Sequence, residues 1–206
     1  MERSAYTGLD MTVPDKTTMK PLLTRVLPAL TLLLAAIVAH AGPLTGTRQI
    51  VLSNANGERH VIGQVEFSDA GQGKSAFRVV MADVMQDYFL AMRPFRCLTG
   101  SWQRLCWFPV KNEEALISDD DLLPLEYALM FMRSKSKDLH MNPFNGLYYK
   151  LRRDGQRLVG KLYEVDMEPF IVPDSRPPSE RKRPLKDREL SDADPVTNWL
   201  PTLSIE

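Results

Sequence analysis

Several groups of residues in this chain of 206 have types and spacings that chemistry could use. Gly71-Gln72-Gly73-Lys74-Ser75 matches the second half of a phosphate-binding loop, in which backbone amides and a lysine cradle phosphates. The full motif needs a glycine five residues before its second glycine, and that position is Ser68. Small polar residues here equally suit a hairpin loop, which is the expected role. Asp119-Asp120-Asp121, with Glu113 and Glu114 nearby, offers the hard oxygen ligands that calcium takes. It lacks the alternating Asp-x-Asp-x-Asp-Gly frame, so a solvated turn is expected. Glu164, Asp166 and Glu168 alternate and would share one face of a strand end. Paired carboxylates there could do acid–base work or simply form a wet edge.

Histidine and cysteine narrow the chemistry further. His60 is expected to face outward and His140 to sit in a Met-Asn-Pro loop, and neither has a Ser or Cys arrangement that suggests a triad. No Gly-x-Ser-x-Gly occurs. Cys97 and Cys106 are expected to be bridged, which removes them as metal ligands. Closing so short a loop should stabilise the fold by about 2–3 kcal/mol in the chain-entropy model. No cofactor and no metal are expected, and hydrolysis by carboxylates ranks third among functional readings. Aromatics supply the remaining candidates: Trp102 at a hairpin tip, Trp107 and Tyr149 could line the mouth of an apolar cavity. Phe108, Tyr148, Tyr163 and Phe170 are read mainly as core.

The compartment follows from the first 41 residues. Val26 to Ala39 form an uncharged run of 14 residues behind Lys20 and Arg25, ending at Ala39-His40-Ala41. Basic flank, apolar run and small-x-small site together predict a secretory signal peptide. A membrane-spanning helix needs about 20 apolar residues, and this run contains Pro28. Glu2, Asp10 and Asp15 make residues 1–18 a poor leader, so the expected start is Met19. Cleavage would remove four basic and three acidic residues, leaving 165 residues with 22 basic and 23 acidic. That balance argues against nucleic-acid binding, which rests on phosphate neutralisation.

Hairpins dominate what remains. Asn56-Gly57 predicts a two-residue turn that pairs Leu52 with Val61 and Ile50 with Gly63. Asp154-Gly155 predicts another, sorting Leu147, Tyr149, Leu151, Leu158, Gly160 and Leu162 onto one face and Tyr148, Lys150, Arg152, Arg157, Val159 and Lys161 onto the other. A third, folding at Ser101-Trp102, sets Cys97 against Cys106 and Phe95 against Phe108. Phe77, Val79 and Met81 predict a strand, as do Leu123, Leu125, Tyr127, Leu129 and Phe131, while Met81 to Met92 could form a short helix. Pro173 to Pro195 is rich in proline and charge and predicts an extended arm, after which residues 199–205 turn apolar and dock back.

These signals predict a signal peptide over 1–41, a β-rich exported domain over 42–172, and a Pro- and charge-rich arm with an apolar end over 173–206. The fold is expected to be mainly β, a single antiparallel sheet curled or closed into a small barrel, with at most a short helix; α+β is the alternative. Function is expected to be non-enzymatic: a periplasmic or secreted module that binds an apolar small molecule or acts as a scaffold. A structural or interaction protein of the cell envelope, contacting an envelope protein, is the alternative. No nucleic acid and no stable membrane span after processing are expected.

Overall fold

Turn-forming pairs set between runs of alternating apolar residues fold this chain into one antiparallel sheet. A computed structural model describes residues 42–90, 93–110, 115–138, 140–170 and 185–206. The expected signal segment and residues 173–184 of the expected arm lie outside the described residues. The strands are β1 (Gly46–Ser53), β2 (Arg59–Gly71), β3 (Lys74–Met81), β4 (Gln86–Leu90), β5 (Arg93–Thr99), β6 (Gln103–Trp107), β7 (Leu116–Ile117), β8 (Phe131–Lys135), β9 (Gly146–Asp154), β10 (Arg157–Val165), β11 (Ser191–Asp192) and β12 (Thr202–Ile205). They pair in the order β4-β5-β6-β8-β9-β10-β12-β1-β2-β3-β7, with β11 added beside β10.

The sheet curls without closing. Arg96 on β5 donates to the carbonyls of Met81 (3.0 Å) and Ala82 (3.3 Å) at the end of β3, and these strands lie far apart in the sheet order. Ile50, Leu52, Leu105, Phe131, Tyr149 and Leu203 belong to one buried cluster on the concave side, each almost fully inaccessible. A second cluster covers the other face, where Cys97, Cys106, Met132, Tyr148 and Val165 pack against Phe108, Met130 and Met167. The Cys97–Cys106 disulfide is formed, with the two Cα atoms 4.0 Å apart across directly opposed positions.

Four local expectations are corrected. The helix is α1 (Leu123–Ala128), where strand alternation was expected; Pro124 suits its first turn, since a proline there forgoes no intrahelical bond. Leu125 and Leu129 then enter the concave cluster and Tyr127 the other one. Residues 86–90, within the stretch that could have formed a short helix, form β4 instead, paired Gln86 to Cys97. The first hairpin carries a bulge: Ile50 faces Gly63 as expected, but Val51 faces Val61 and Leu52 faces His60. One extra residue, Ile62, reverses the faces beyond it. At the Asp154-Gly155 hairpin, Asp154 faces Arg157 and Gly160 faces Leu151, a two-residue slip from the expected register. A slip of two preserves both faces, so Leu158 and Leu162 are buried while Arg152 and Arg157 are exposed.

Candidate functional site

Apolar side chains are exposed at one end of the curled sheet. The floor of that end is Trp199, which lies between two hairpin tips. Its indole donates to Glu58 at 2.9 Å beside the β1–β2 tip and packs edge-on against His60 at 5.1 Å. Its backbone amide donates to the Gln103 side chain at 2.9 Å. Over the β5–β6 tip the contact is so close that a Cβ on Gly100 would stand 2.7 Å from the indole, which only glycine permits. Hydrogen bonds from His60 first, then from Trp199, hold the Glu58 carboxyl below its ordinary range. The bulge at Ile62 is what turns His60 toward Trp199 instead of outward.

A polar brace supports the floor. Buried Asn198 accepts from Arg133 (2.7 Å) and donates to Glu164 (3.1 Å), while Arg133 also donates to Glu164 (2.7 Å). The β5–β6 tip is held rigidly above it. Ser136 donates its amide to the Trp102 carbonyl (3.1 Å) and its hydroxyl to the Ser101 carbonyl (3.0 Å). Arg104, nearly fully buried, donates to Thr99 at 3.1 Å and to the Ser136 carbonyl, with its guanidinium 4.4 Å from the centre of the Tyr88 ring. A tip fixed this way presents its aromatic side chain at small entropic cost to a contact.

Five large hydrophobic side chains are exposed among the residues whose side chains are described: Val61, Val84, Trp102, Phe144 and Val196. Register and hydrogen bonds place all five at the Trp199 end. Trp102 is on the tip that Gly100 and Gln103 tie to Trp199. Val61 adjoins His60, and Val84 lies two residues past Ala82, whose amide bonds the Ile62 carbonyl at 2.9 Å. Val196 precedes Thr197, whose carbonyl accepts from Gln103. Phe144 adjoins Asn145 and Gly146, and Gly146 pairs with Val165 beside the braced Glu164.

The candidates read from sequence do not converge. Trp102 is 48% exposed, Trp107 is half-buried with its indole donating to the Ala128 carbonyl at 2.7 Å, and Tyr149 is buried with its hydroxyl donating to Leu200 at 2.8 Å. Burial raises the Tyr149 phenol above its ordinary value. Gly71 to Ser75 forms the β2–β3 tip, where Gly71, Gln72 and Gly73 all take positive φ as hairpin residues do. Asp119 pairs with Arg153 and Asp121 caps the Leu123 amide at 3.1 Å. No cluster of three metal-ligating side chains exists among the described residues. His140 is exposed in its loop. Glu164 and Asp166 do share an open cleft of about 360 Å³ with Phe144, Leu185, Arg188 and Glu189. There Glu164 is neutralised by Arg133, and Asp166 accepts the Glu168 amide at 2.8 Å. Glu113 and Glu114 lie outside the described residues.

Two groups escaped the sequence reading. Trp199 was read only as part of an apolar end, because its partners lie far away in the chain. Glu126 is buried in α1, accepting from the Leu151 amide (2.7 Å) and the Tyr148 hydroxyl. It serves an amide of β9 beyond the part paired with β8, which ends at Leu147. Desolvation is the main cause that pushes its carboxyl above the ordinary range. No family model, curated protein or solved structure matches the chain, so the site rests on its own geometry.

Proposed function

We propose that this protein works by contact, as an exported interaction module of the cell envelope whose partner seats on the Trp102–Phe144 end of the sheet. The observation that carries this reading is the gathering of all five exposed large hydrophobics of the described residues at that end. Scattered single apolar residues need no explanation, but a grouped set with an aromatic on a braced tip has the composition of an interface. Export is supported by the pattern of residues 1–41 and by the intramolecular disulfide, which persists in oxidising compartments. No helix among the described residues is long and apolar enough to cross a membrane.

The apolar-ligand reading has less support. Side chains of the concave cluster pack the interior of the curl. The cleft beside Trp102, walled by Gln103, Arg133, Ser134, Lys135 and Asn145, has a volume of about 200 Å³. Small-molecule sites commonly enclose about 300–1,000 Å³ behind mostly apolar walls; the cleft of about 360 Å³ reaches that size but is lined by the charged Glu164, Asp166, Arg188 and Glu189. Native mass spectrometry of the protein purified from its own compartment separates the readings. The expected species begins at Gly42, retains the disulfide and carries no small molecule, with a protein partner as the only adduct. A stoichiometric small-molecule adduct would overturn the proposal.

A further inference from the structure

The strand that comes latest in the chain fills the middle of the sheet. β12 lies between β10 and β1, so that Leu203 faces Gly160 on one side and Leu52 on the other. Among the described strands, those before it form two sub-sheets, β1-β2-β3-β7 and β4-β5-β6-β8-β9-β10 with β11 beside β10, which only the β12 ladder joins strand to strand, while the Arg96 side chain crosses between them to Met81 and Ala82. The approach to β12 is anchored residue by residue. Asn198 enters the Arg133–Glu164 brace, Trp199 enters the gap between the tips, and the Leu200 carbonyl accepts from Tyr149. Leu203 and Ile205 are fully buried, and the Glu206 backbone exchanges bonds of 2.7 and 3.0 Å with Gln49.

We infer that Asn198–Glu206 is a latch that docks after the two sub-sheets have formed, and that its docking assembles the apolar end. A ladder on both sides requires the β10 and β1 edges to be in place already. Trp199 meets Glu58 across 141 positions of chain, whereas β9 meets β10 through a two-residue loop. Loop-closure entropy delays the former contact and favours the latter. A chain that emerges from its N-terminal end therefore keeps the β1 edge and the Leu158–Lys161 part of the β10 edge open until residues 202–206 are available. Until then Trp199 is missing from between the tips that carry Trp102 and His60. This inference rests on topology and stands apart from the export reading.

Stopped-flow refolding and unfolding of the full, disulfide-intact chain tests it, comparing Leu203→Ala in the latch with Leu162→Ala in the β9–β10 hairpin. The expected result is that Leu203→Ala speeds unfolding by more than about tenfold and slows refolding by less than about twofold, with Leu162→Ala slowing refolding by the larger factor. Should Leu203→Ala fail to fold, Ile205→Val gives the same comparison at a milder cost. Refolding slowed by the latch variant as much as by the hairpin variant, or more, would overturn the inference.

Discussion

The two ends of the curled sheet are built from the same kind of part, hairpin turns, yet they meet solvent differently. One end carries the β2–β3 and β9–β10 tips, with Gly71, Gly73 and Gly155 at positive φ. Charged and polar side chains tie it together: Arg153 to Asp119, Arg157 to Asp154, and Arg48 to Gln156. That is how solvated turns are ordinarily made. The other end has a buried tryptophan between two of its tips, and the five exposed apolar side chains lie on that end's tips, strand ends and adjoining segments. Its Trp102 tip is tied down by Ser136 and Arg104 instead of being left free. Exposed apolar side chains on a turn held still are the features on which the proposed contact surface rests.

Substitutions at each end sharpen this contrast. Trp199→Ala should have the largest effect, about 3–5 kcal/mol by chemical denaturation, since it empties the gap between two tips. Gly155→Val at the polar end should cost about 1–2 kcal/mol, the strain of a branched residue in the left-handed region its φ of 61° requires. A larger loss at Gly155 than at Trp199 would mean that the apolar end is not a packed floor.

Away from both ends, Glu126 gives a pH signature. Its folded carboxyl sits above the ordinary value because it is desolvated, so it favours folding most when protonated. Stability from this group is fully present at pH values below the ordinary glutamate range and is lost as pH rises through the raised value. Glu126→Gln keeps an acceptor for the Leu151 amide without the charge. Its melting temperature should therefore gain on the parent as pH rises from about 4 to 8. A variant melting temperature that falls relative to the parent as pH rises contradicts this sign.

Trp102→Ser and Phe144→Ser should have the smallest effect on stability, each within about 0.5 kcal/mol, because neither side chain is part of the core. A loss of several kcal/mol in either would make these residues structural and remove them from the contact surface.

Much of the fold was legible because its errors were of a forgiving kind. The faces of β9 and β10 were readable although the turn lies one residue later than expected, since a two-residue slip leaves every side chain on its side. The Cys97–Cys106 pairing was legible for a similar reason: nine positions of separation and a short tip leave little freedom. A one-residue bulge at Ile62 was not legible, and it reversed His60. Helix and strand periods compete in a short apolar run, and at Leu123–Ala128 the helix won with Pro124 in its first turn. Of the candidate site, only Trp102 at its tip was visible. Trp199 could not be, because its role exists only once residues 141 positions apart meet. Glu126 gave no signal at all, since a lone carboxylate among leucines reads as a solvent-facing residue.

Site-specific photo-crosslinking tests the contact claim most directly. A photoreactive residue would be placed at Trp102 or at Gln156 in the full chain, produced with residues 1–41 in cells that export it. The account predicts a discrete crosslinked protein from position 102, diminished by Phe144→Ser, and none from position 156. Equal capture at both ends, or none at position 102, would contradict it.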